Sequence, residues 1–312
     1  MVKMGKRNSR KSKLIYFITF PISLLLILAN IYVIHITKPI KENTNKINQE
    51  IKIIITLQDK TNEETNNLNN EISKLENIDT EIENAKKQYY STLKFFEDKV
   101  INKETNYKIA YLTFDDGPYD LTHKYLEILD QYDVRATFFT IGLDKQTCYD
   151  NRNVSCQGVY QKEALAGHTM ANHTYSHLIF NGLYSSTNSF INSVKQQETL
   201  IKEKTGITTN IVRFPGGIAS SGYLRNSIIE ELRKIGYGWV DWTASNGDGG
   251  YVPNKETAMR NLKNTINEDI EVILFHDYSY TTLAILPEVI EYLRSQNYVL
   301  LPLFYESNMI NK

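Results

Sequence analysis

Two adjacent carboxylates, Asp115 and Asp116, stand in the run Thr113-Phe114-Asp115-Asp116-Gly117-Pro118. Like charges this close repel, so the pair requires a cation or a shared proton. Further along, Asn172-His173-Thr174-Tyr175-Ser176-His177 carries two histidines four residues apart. They face the same way if the segment makes one helical turn. Two histidines and one of the two aspartates would form a metal site with open positions for water and substrate, the arrangement of a catalytic centre rather than a structural one. The same donor set serves non-haem iron oxygenases, so spacing alone does not name the metal. The other aspartate is then free to act as a base. The competing reading is an acidic surface turn and a chance pair of histidines.

Three further stretches carry polar chemistry: Arg213-Phe214-Pro215-Gly216-Gly217, the segment from Val240-Asp241-Trp242 to Gly247-Asp248, and Leu274-Phe275-His276-Asp277. Each alone is ordinary loop chemistry, because a lone Arg is usually a surface residue and a lone Asp usually caps a helix. The remaining histidines have plainer readings: His35 in an apolar run, His123 on a helix and His168 beside a strand.

The elements that must hold these residues follow from the patterning. Short β-branched and aromatic runs predict strands near 108–114, 134–141, 168–172, 209–214, 237–243, 270–276 and 298–304. Helix-length segments separate them, near 120–131, 158–166, 186–204, 223–235, 255–267 and 282–295. This alternation predicts an α/β fold with parallel strands. A domain of this size suits a small barrel, whose chemistry sits on loops at the C-terminal ends of the strands. Every candidate residue falls at such an end.

Taken in order, Thr-Phe-Asp-Asp-Gly-Pro, His-Thr-x-x-His, Arg-x-Pro-Gly-Gly, Asp-Trp-x-x-x-x-Gly-Asp and Leu-x-His-Asp over residues 113–277 resemble the polysaccharide deacetylase family, the NodB-homology group of carbohydrate esterase family 4. The likeness extends over about 105–307. It implies a distorted (β/α)7 barrel and a hydrolase, acting on carbon–nitrogen bonds other than peptide bonds, that removes acetyl groups from N-acetylglucosamine residues. By position, the resemblance assigns metal binding to Asp116, His173 and His177, with Zn2+ the usual ion and Co2+, Mn2+ or Ni2+ as others. It makes Asp115 the general base, oriented by Arg213, and His276 the general acid, tuned by Asp248. Gly216 supplies a backbone oxyanion donor, and Leu274 lines the pocket for the acetate methyl. Where the family often has Trp directly after the aspartate of its fourth motif, this chain has Gly249. Either Trp242 or Trp239 then walls the substrate site, or the site is more open than in the family.

Upstream, residues 1–13 form a basic tail with six Lys/Arg and no acid, and residues 14–36 form 23 residues without a charge. A helix that long spans about 30 Å of hydrocarbon. The expectation is an uncleaved membrane anchor with a cytoplasmic N-terminus and everything downstream outside the cell. Residues 37–104 read as a helical stalk or a polar linker, because Ile47, Ile54, Leu68, Leu75, Ile82 and Tyr89 keep a seven-residue spacing. Polar residues interrupt that seam, so at most a weak homo-oligomer through the stalk is expected. Residues 105–312 form the catalytic domain, at net charge −5. That charge excludes nucleic acid as a partner. Outside a membrane, Cys148 and Cys156 are expected to form a small loop disulfide. Cell-wall glycan, specifically peptidoglycan, is the expected substrate. The alternatives are poly-N-acetylglucosamine or chitin-type oligomers, and a catalytically inactive glycan-binding protein on the cell surface.

Overall fold

The computed structural model describes residues 62–142, 156–251 and 253–312. The basic tail, the apolar run 14–36, the stalk upstream of Asn62 and Cys148 lie outside the described residues. Among the described residues no helix is long and apolar enough to cross a membrane.

The described residues fall into two units, divided between Leu93 and Lys94. Helix α1, Asn62–Ile101, runs for 40 residues. It contains neither Gly nor Pro, the two residues that most disfavour a helix interior. Ile72, Leu75, Ile82 and Tyr89 are half-buried along it, while Glu76 and Glu83 are exposed. Within the second unit, the final turns of α1 carry Glu97, which is fully buried. A buried carboxylate must be matched by donors. Tyr111 Oη donates to it at 2.9 Å, Ser307 Oγ at 2.5 Å and the Asn308 N–H at 2.9 Å.

The second unit is built on a curled parallel sheet. Its strands are β1 (Lys108–Asp115), β2 (Thr137–Thr140), β3 (Thr169–Asn172), β4 (Ile211–Val212), β5 (Gly238–Trp239), β6 (Ala244–Ser245), β7 (Ile270–His276) and β8 (Tyr298–Leu301). They lie in the order β5-β4-β3-β2-β1-β7-β6, and β8 pairs with the first half of β1. Helices α2 (Thr122–Gln131), α3 (Cys156–Leu165), α4 (Thr187–Thr205), α5 (Arg225–Lys234), α6 (Lys255–Thr265) and α7 (Tyr280–Ser295) connect them. The result is an α/β half-barrel, consistent with the (β/α)7 architecture.

Both faces of β1 are buried, so it reads as a near-continuous apolar run. One face, Ala110, Leu112 and Phe114, joins Phe138, Phe275, Leu129 and Leu286 in the largest hydrophobic cluster. Phe114 stacks on Phe138 at 5.2 Å and on Phe275 at 5.7 Å. Burying each such ring contributes about 1.5–3 kcal/mol. The alternate residues, Thr113 and Asp115, point the other way because side chains alternate along a strand. They are polar and buried. A second cluster packs Phe190 and Val194 of α4 and Ile228 and Leu232 of α5 beside Val212 and Phe214.

One predicted strand differs. The predicted run 237–243 holds only the two-residue β5, and a second short strand, β6, begins at Ala244 just beyond it with no helix between them. The cause is Arg213, whose Nε–H donates to the Val240 carbonyl at 3.3 Å and whose Nη2–H donates to the Asp241 carbonyl at 3.1 Å. Those carbonyls serve a guanidinium instead of a ladder. The other elements lie within a few residues of their predicted bounds, and β4 is cut to two residues.

Candidate active site

The polar groups converge at the C-terminal ends of β1, β3, β4 and β7. Register places them: Asp115 lies opposite His276 across β1 and β7, and Thr113 lies opposite Leu274. Asn172 at the end of β3 lies opposite Val212, immediately before Arg213. Asp116 then leaves the strand at φ 74°, a left-handed conformation uncommon for a residue with a side chain. Its N–H still donates to the Phe139 carbonyl at 3.1 Å. Such local strain is held in place by the surrounding structure and clusters at functional sites.

The two histidines do not sit on a helical turn. Thr174 and His177 both have positive φ, 65° and 46°. The bend is fixed by side chains instead. Asn172 Oδ1 accepts the Thr174 N–H at 2.8 Å, and Ser193 Oγ accepts the N–H groups of Tyr175 and Ser176 at 3.0 Å each. The outcome still brings the rings together, with centroids 5.0 Å apart.

Asp116 Oδ1 stands 3.5 Å from His173 Nε2 and 3.1 Å from His177 Nε2. Among the described residues, Asp116, His173 and His177 form a group that could hold a metal ion. Two observations support the fit. Asp116 Oδ1 is buried without a hydrogen-bond partner, a situation that calls for an explanation in a native site. In addition, the Nδ1–H of His173 donates to the Arg213 carbonyl at 2.9 Å, leaving Nε2 as a lone pair facing Asp116. Burial holds the His173 pKa down to about 3, so the ring stays neutral. Two acceptors facing each other with no proton between them are stabilised by a cation.

Asp115 occupies a different environment. It is 3% exposed, and Arg213 Nη1–H donates to its Oδ1 at 2.8 Å. The same nitrogen donates to Thr113 Oγ1 at 2.7 Å. Arg213 is itself fully buried, stacked with its guanidinium carbon 4.1 Å from the Phe139 ring centroid. Burial pushes the Asp115 carboxyl up, and the Arg213 guanidinium and His276 pull against that. A carboxylate so placed is a stronger base than one in water.

On the neighbouring strand β7, His276 Nδ1 meets Asp248 Oδ1 at 2.8 Å. Asp248 Oδ2 accepts the His276 backbone N–H at 3.1 Å and the Thr282 hydroxyl. Asn246 fixes this aspartate in turn, its Oδ1 accepting the Asp248 N–H at 3.2 Å and its Nδ2–H donating to Thr282 Oγ1 at 2.8 Å. Burial acts to lower the His276 pKa. The hydrogen bond and charge of Asp248, with the charges of Asp116 and Asp115, outweigh it and push the group up to about 9. His276 Nε2 lies 3.9 Å from Asp116 Oδ2, so it faces the same small space. Asp241, the other aspartate of that stretch, does not touch His276. It accepts the Ile218 N–H with both oxygens at 3.1 Å.

Gly216 and Gly217 take positive φ, 72° and 78°, in the turn after β4. A Cβ at Gly216 would lie 2.6 Å from Ser220 Oγ, so only glycine fits this tight turn. Trp242 is 36% exposed and its ring edge flanks Gly217. Leu274 is buried and shares a strand face with His276, two residues on. Gly249 answers the departure seen in the sequence: a Cβ there would stand 2.5 Å from His276 Cε1. Backbone, not an indole, covers that side of the imidazole. The sequence reading gave no role to Thr113, Phe139, Thr282 or Asp277. Asp277 is buried, accepts from the Thr122 hydroxyl, and packs against Gly117. Burial pushes its carboxyl up to about 7. Its place directly after His276 was the available signal. Cys156 begins α3, and its pairing with Cys148 falls outside the described residues.

A family model for polysaccharide deacetylase matches residues 102–240. A peptidoglycan-N-acetylglucosamine deacetylase of Bacillus cereus is 31% identical over 198 residues, covering 61% of this chain and 67% of that protein. The catalytic domain of a peptidoglycan N-acetylglucosamine deacetylase from Eubacterium rectale superposes with TM-score 0.59 at 31% identity, covering 66% of this chain and 93% of that one. A Streptococcus mutans CE4 esterase superposes with TM-score 0.57 at 28% identity, covering 67% and 91%. The chain belongs to the polysaccharide deacetylase family, and it is an enzyme, a hydrolase of the CE4 type.

Proposed function

We propose that this protein removes the acetyl group from N-acetylglucosamine residues of peptidoglycan, releasing acetate and leaving a glucosamine. The observation that carries this reading is the three-residue cation site set between a buried carboxylate and a carboxylate-paired histidine. Asp116, His173 and His177 would hold a divalent ion, with Zn2+ the first candidate given two imidazoles and one carboxylate. Such an ion, when bound, lowers the pKa of water and polarises a carbonyl oxygen.

The chain's own residues supply the rest. Asp115 takes the proton from the attacking water, and Arg213 fixes the carboxylate so that Oδ2 faces the site. The Gly216 N–H is assigned to the oxyanion that forms as the carbonyl carbon becomes tetrahedral, a contact of the kind often worth several kcal/mol. His276 Nε2 delivers a proton to the amine nitrogen as the carbon–nitrogen bond breaks, because an amine leaves poorly as an anion. Asp248 keeps that imidazole protonated and oriented. Leu274 offers an apolar surface to the acetyl methyl, and Trp242 walls the sugar. With base and acid as separate residues on neighbouring strands, each held by its own partner, the two proton transfers do not compete for one group.

For the whole protein, residues 14–36 anchor it in the cell membrane with the catalytic unit outside, where the wall glycan lies. Deletion of the gene followed by mass spectrometry of wall fragments tests the reading. The fraction of acetylated glucosamine is expected to rise, together with lysozyme sensitivity, and a His276→Ala copy is expected not to restore the wild-type state. Unchanged wall fragments alongside an over-acetylated secreted poly-N-acetylglucosamine would replace peptidoglycan as the substrate.

A further inference from the structure

The pairing of β1 with β7 ends at Asp115 and His276. Beyond it the chain carries the cation ligand Asp116 on one side and Asp277 on the other. Toward β2 the loop after β1 is held by backbone: the Asp116 N–H donates to the Phe139 carbonyl at 3.1 Å, and the Ile141 N–H donates to the Gly117 carbonyl at 3.0 Å. Toward β7, side chains do the joining. Asp277 Oδ2 accepts the Thr122 hydroxyl, and Thr122 Oγ1 accepts the Tyr119 N–H at 2.7 Å. The donors therefore run one way, from the Tyr119 backbone through Thr122 to the carboxyl. The same oxygen sits against Gly117, where a Cβ would collide with it. Asp277 and Thr122 are both fully buried. Asp277 Oδ1, by contrast, has no hydrogen-bond partner. A buried carboxyl matched on one oxygen only is costly, so its presence calls for an explanation.

The geometry points to Asp277 as a positioning residue: with Thr122 it clamps the loop that begins at Asp116 to the end of β7 that carries His276, and so sets the cation ligand against the acid. The clamp grips next to both groups, since Gly117 directly follows Asp116 and Asp277 directly follows His276. Asp116 Oδ2 and His276 Nε2 stand 3.9 Å apart. A misplacement of about 1 Å in such a site can cost on the order of 10²-fold in rate. Groups that hold a metal ligand from behind carry about 10–100-fold in metal affinity or activity. The inference rests on the metal-dependent deacetylase reading above and adds to it the residue that fixes Asp116 from the β7 side. Tyr125 Oη, which donates to the Ser279 carbonyl at 2.5 Å, ties α2 to the segment after β7 separately. The two loops therefore stay attached when the clamp is removed.

The test uses the full chain as wild type, Thr122→Val, Thr122→Ser, Asp277→Ala and Asp277→Asn. The zinc dissociation constant is measured by competition with a chelator, and kcat and KM for acetate release from N-acetylglucosamine tetramer are measured at saturating zinc. Thr122→Val keeps the shape and removes the hydroxyl, and Asp277→Ala removes the acceptor. Both are expected to bind zinc about tenfold more weakly and to lose about tenfold in kcat with KM little changed. Thr122→Ser keeps the hydroxyl and loses only a methyl, and the amide oxygen of Asp277→Asn still accepts from Thr122. These two are expected to stay close to wild type in both readouts. A Thr122→Ser as impaired as Thr122→Val would make packing the cause and overturn the clamp. An Asp277→Asn as impaired as Asp277→Ala would overturn it by assigning the effect to charge. Unchanged zinc affinity and kcat in Thr122→Val and Asp277→Ala, with only the denaturation midpoint lowered, would leave Asp277 a merely structural residue. A wild type that holds zinc but releases no acetate would refute the glycan-deacetylase reading instead, and the zinc constants alone would then decide on the clamp.

Discussion

The two walls of the site treat charge in opposite ways. On the β1–β4 wall a carboxylate, Asp115, is held by a buried guanidinium 2.8 Å away. On the β6–β7 wall an imidazole, His276, is held by a buried carboxylate at 2.8 Å. Each reacting group therefore has a partner of the other sign, and each partner is more buried than the group it serves: Arg213 and Asp248 are fully buried, Asp115 is 3% and His276 9% exposed. Burial alone would drive both reacting groups toward neutrality. The paired charges keep Asp115 able to accept a proton and His276 able to give one.

That comparison can be broken first at its centre. His173→Ala or His177→Ala removes a cation ligand, and both walls then face nothing between them. Acetate release is expected to fall to background and bound zinc to well below one per chain, with the circular-dichroism spectrum unchanged. Stoichiometric zinc in either variant would refute the ligand assignment.

The next largest effect falls on the base wall. Arg213→Leu leaves Asp115 buried without its counter-charge and frees the Val240 and Asp241 carbonyls. Removing one partner of a buried pair costs about 3–5 kcal/mol. Chemical denaturation is expected to show a loss of that size, and a stability equal to wild type would mean that Asp115 relaxes into water.

The acid wall gives a finer effect. Since the protonated form of His276 acts, rate is expected to fall on the alkaline side as pH passes its pKa. Asp248 raises that pKa, so Asp248→Asn is expected to move the alkaline limb of the pH–rate profile to lower pH. The same raised pKa contributes stability that is fully present below about 6.5, the ordinary imidazole value. That contribution is lost as pH rises through about 9. If Asp241→Asn moves the limb instead, the hydrogen bond between Asp248 and His276 is not what tunes the acid.

The smallest effect concerns the lining. Trp242→Ala opens one side of the Gly216-Gly217 turn without touching either proton path. It is expected to raise KM for glycan several-fold with kcat little changed, consistent with loss of uniform binding. A matching fall in kcat would place the indole in the transition state.

Much of this was legible in the sequence because strand ends carry the chemistry. The positions of β1, β3 and β7 were fixed by apolar runs, and Asp115, Asn172 and His276 close those runs, so order along the chain translated directly into neighbourhood. What patterning could not show was anything decided by a long-range side-chain bond. Nothing in residues 237–243 announces that Arg213 will claim two of their carbonyls. The bend that joins His173 to His177 is likewise held by Asn172 and by Ser193 on α4, not by helix propensity. The cover that Gly249 gives to His276 depends on backbone approach, which no residue count reveals.

The central claim is that Asp115 and Asp116, identical and adjacent, do different work because one faces a guanidinium and the other faces two imidazoles. Zinc content and acetate release measured together on Asp115→Asn and Asp116→Asn test it most directly. Asp115→Asn is expected to hold one zinc per chain and lose about 10²–10⁴ in rate, the contribution of a general base. Asp116→Asn is expected to hold little zinc and show no activity. If Asp115→Asn loses the zinc and Asp116→Asn retains it, the two roles are exchanged and this account of the site is wrong.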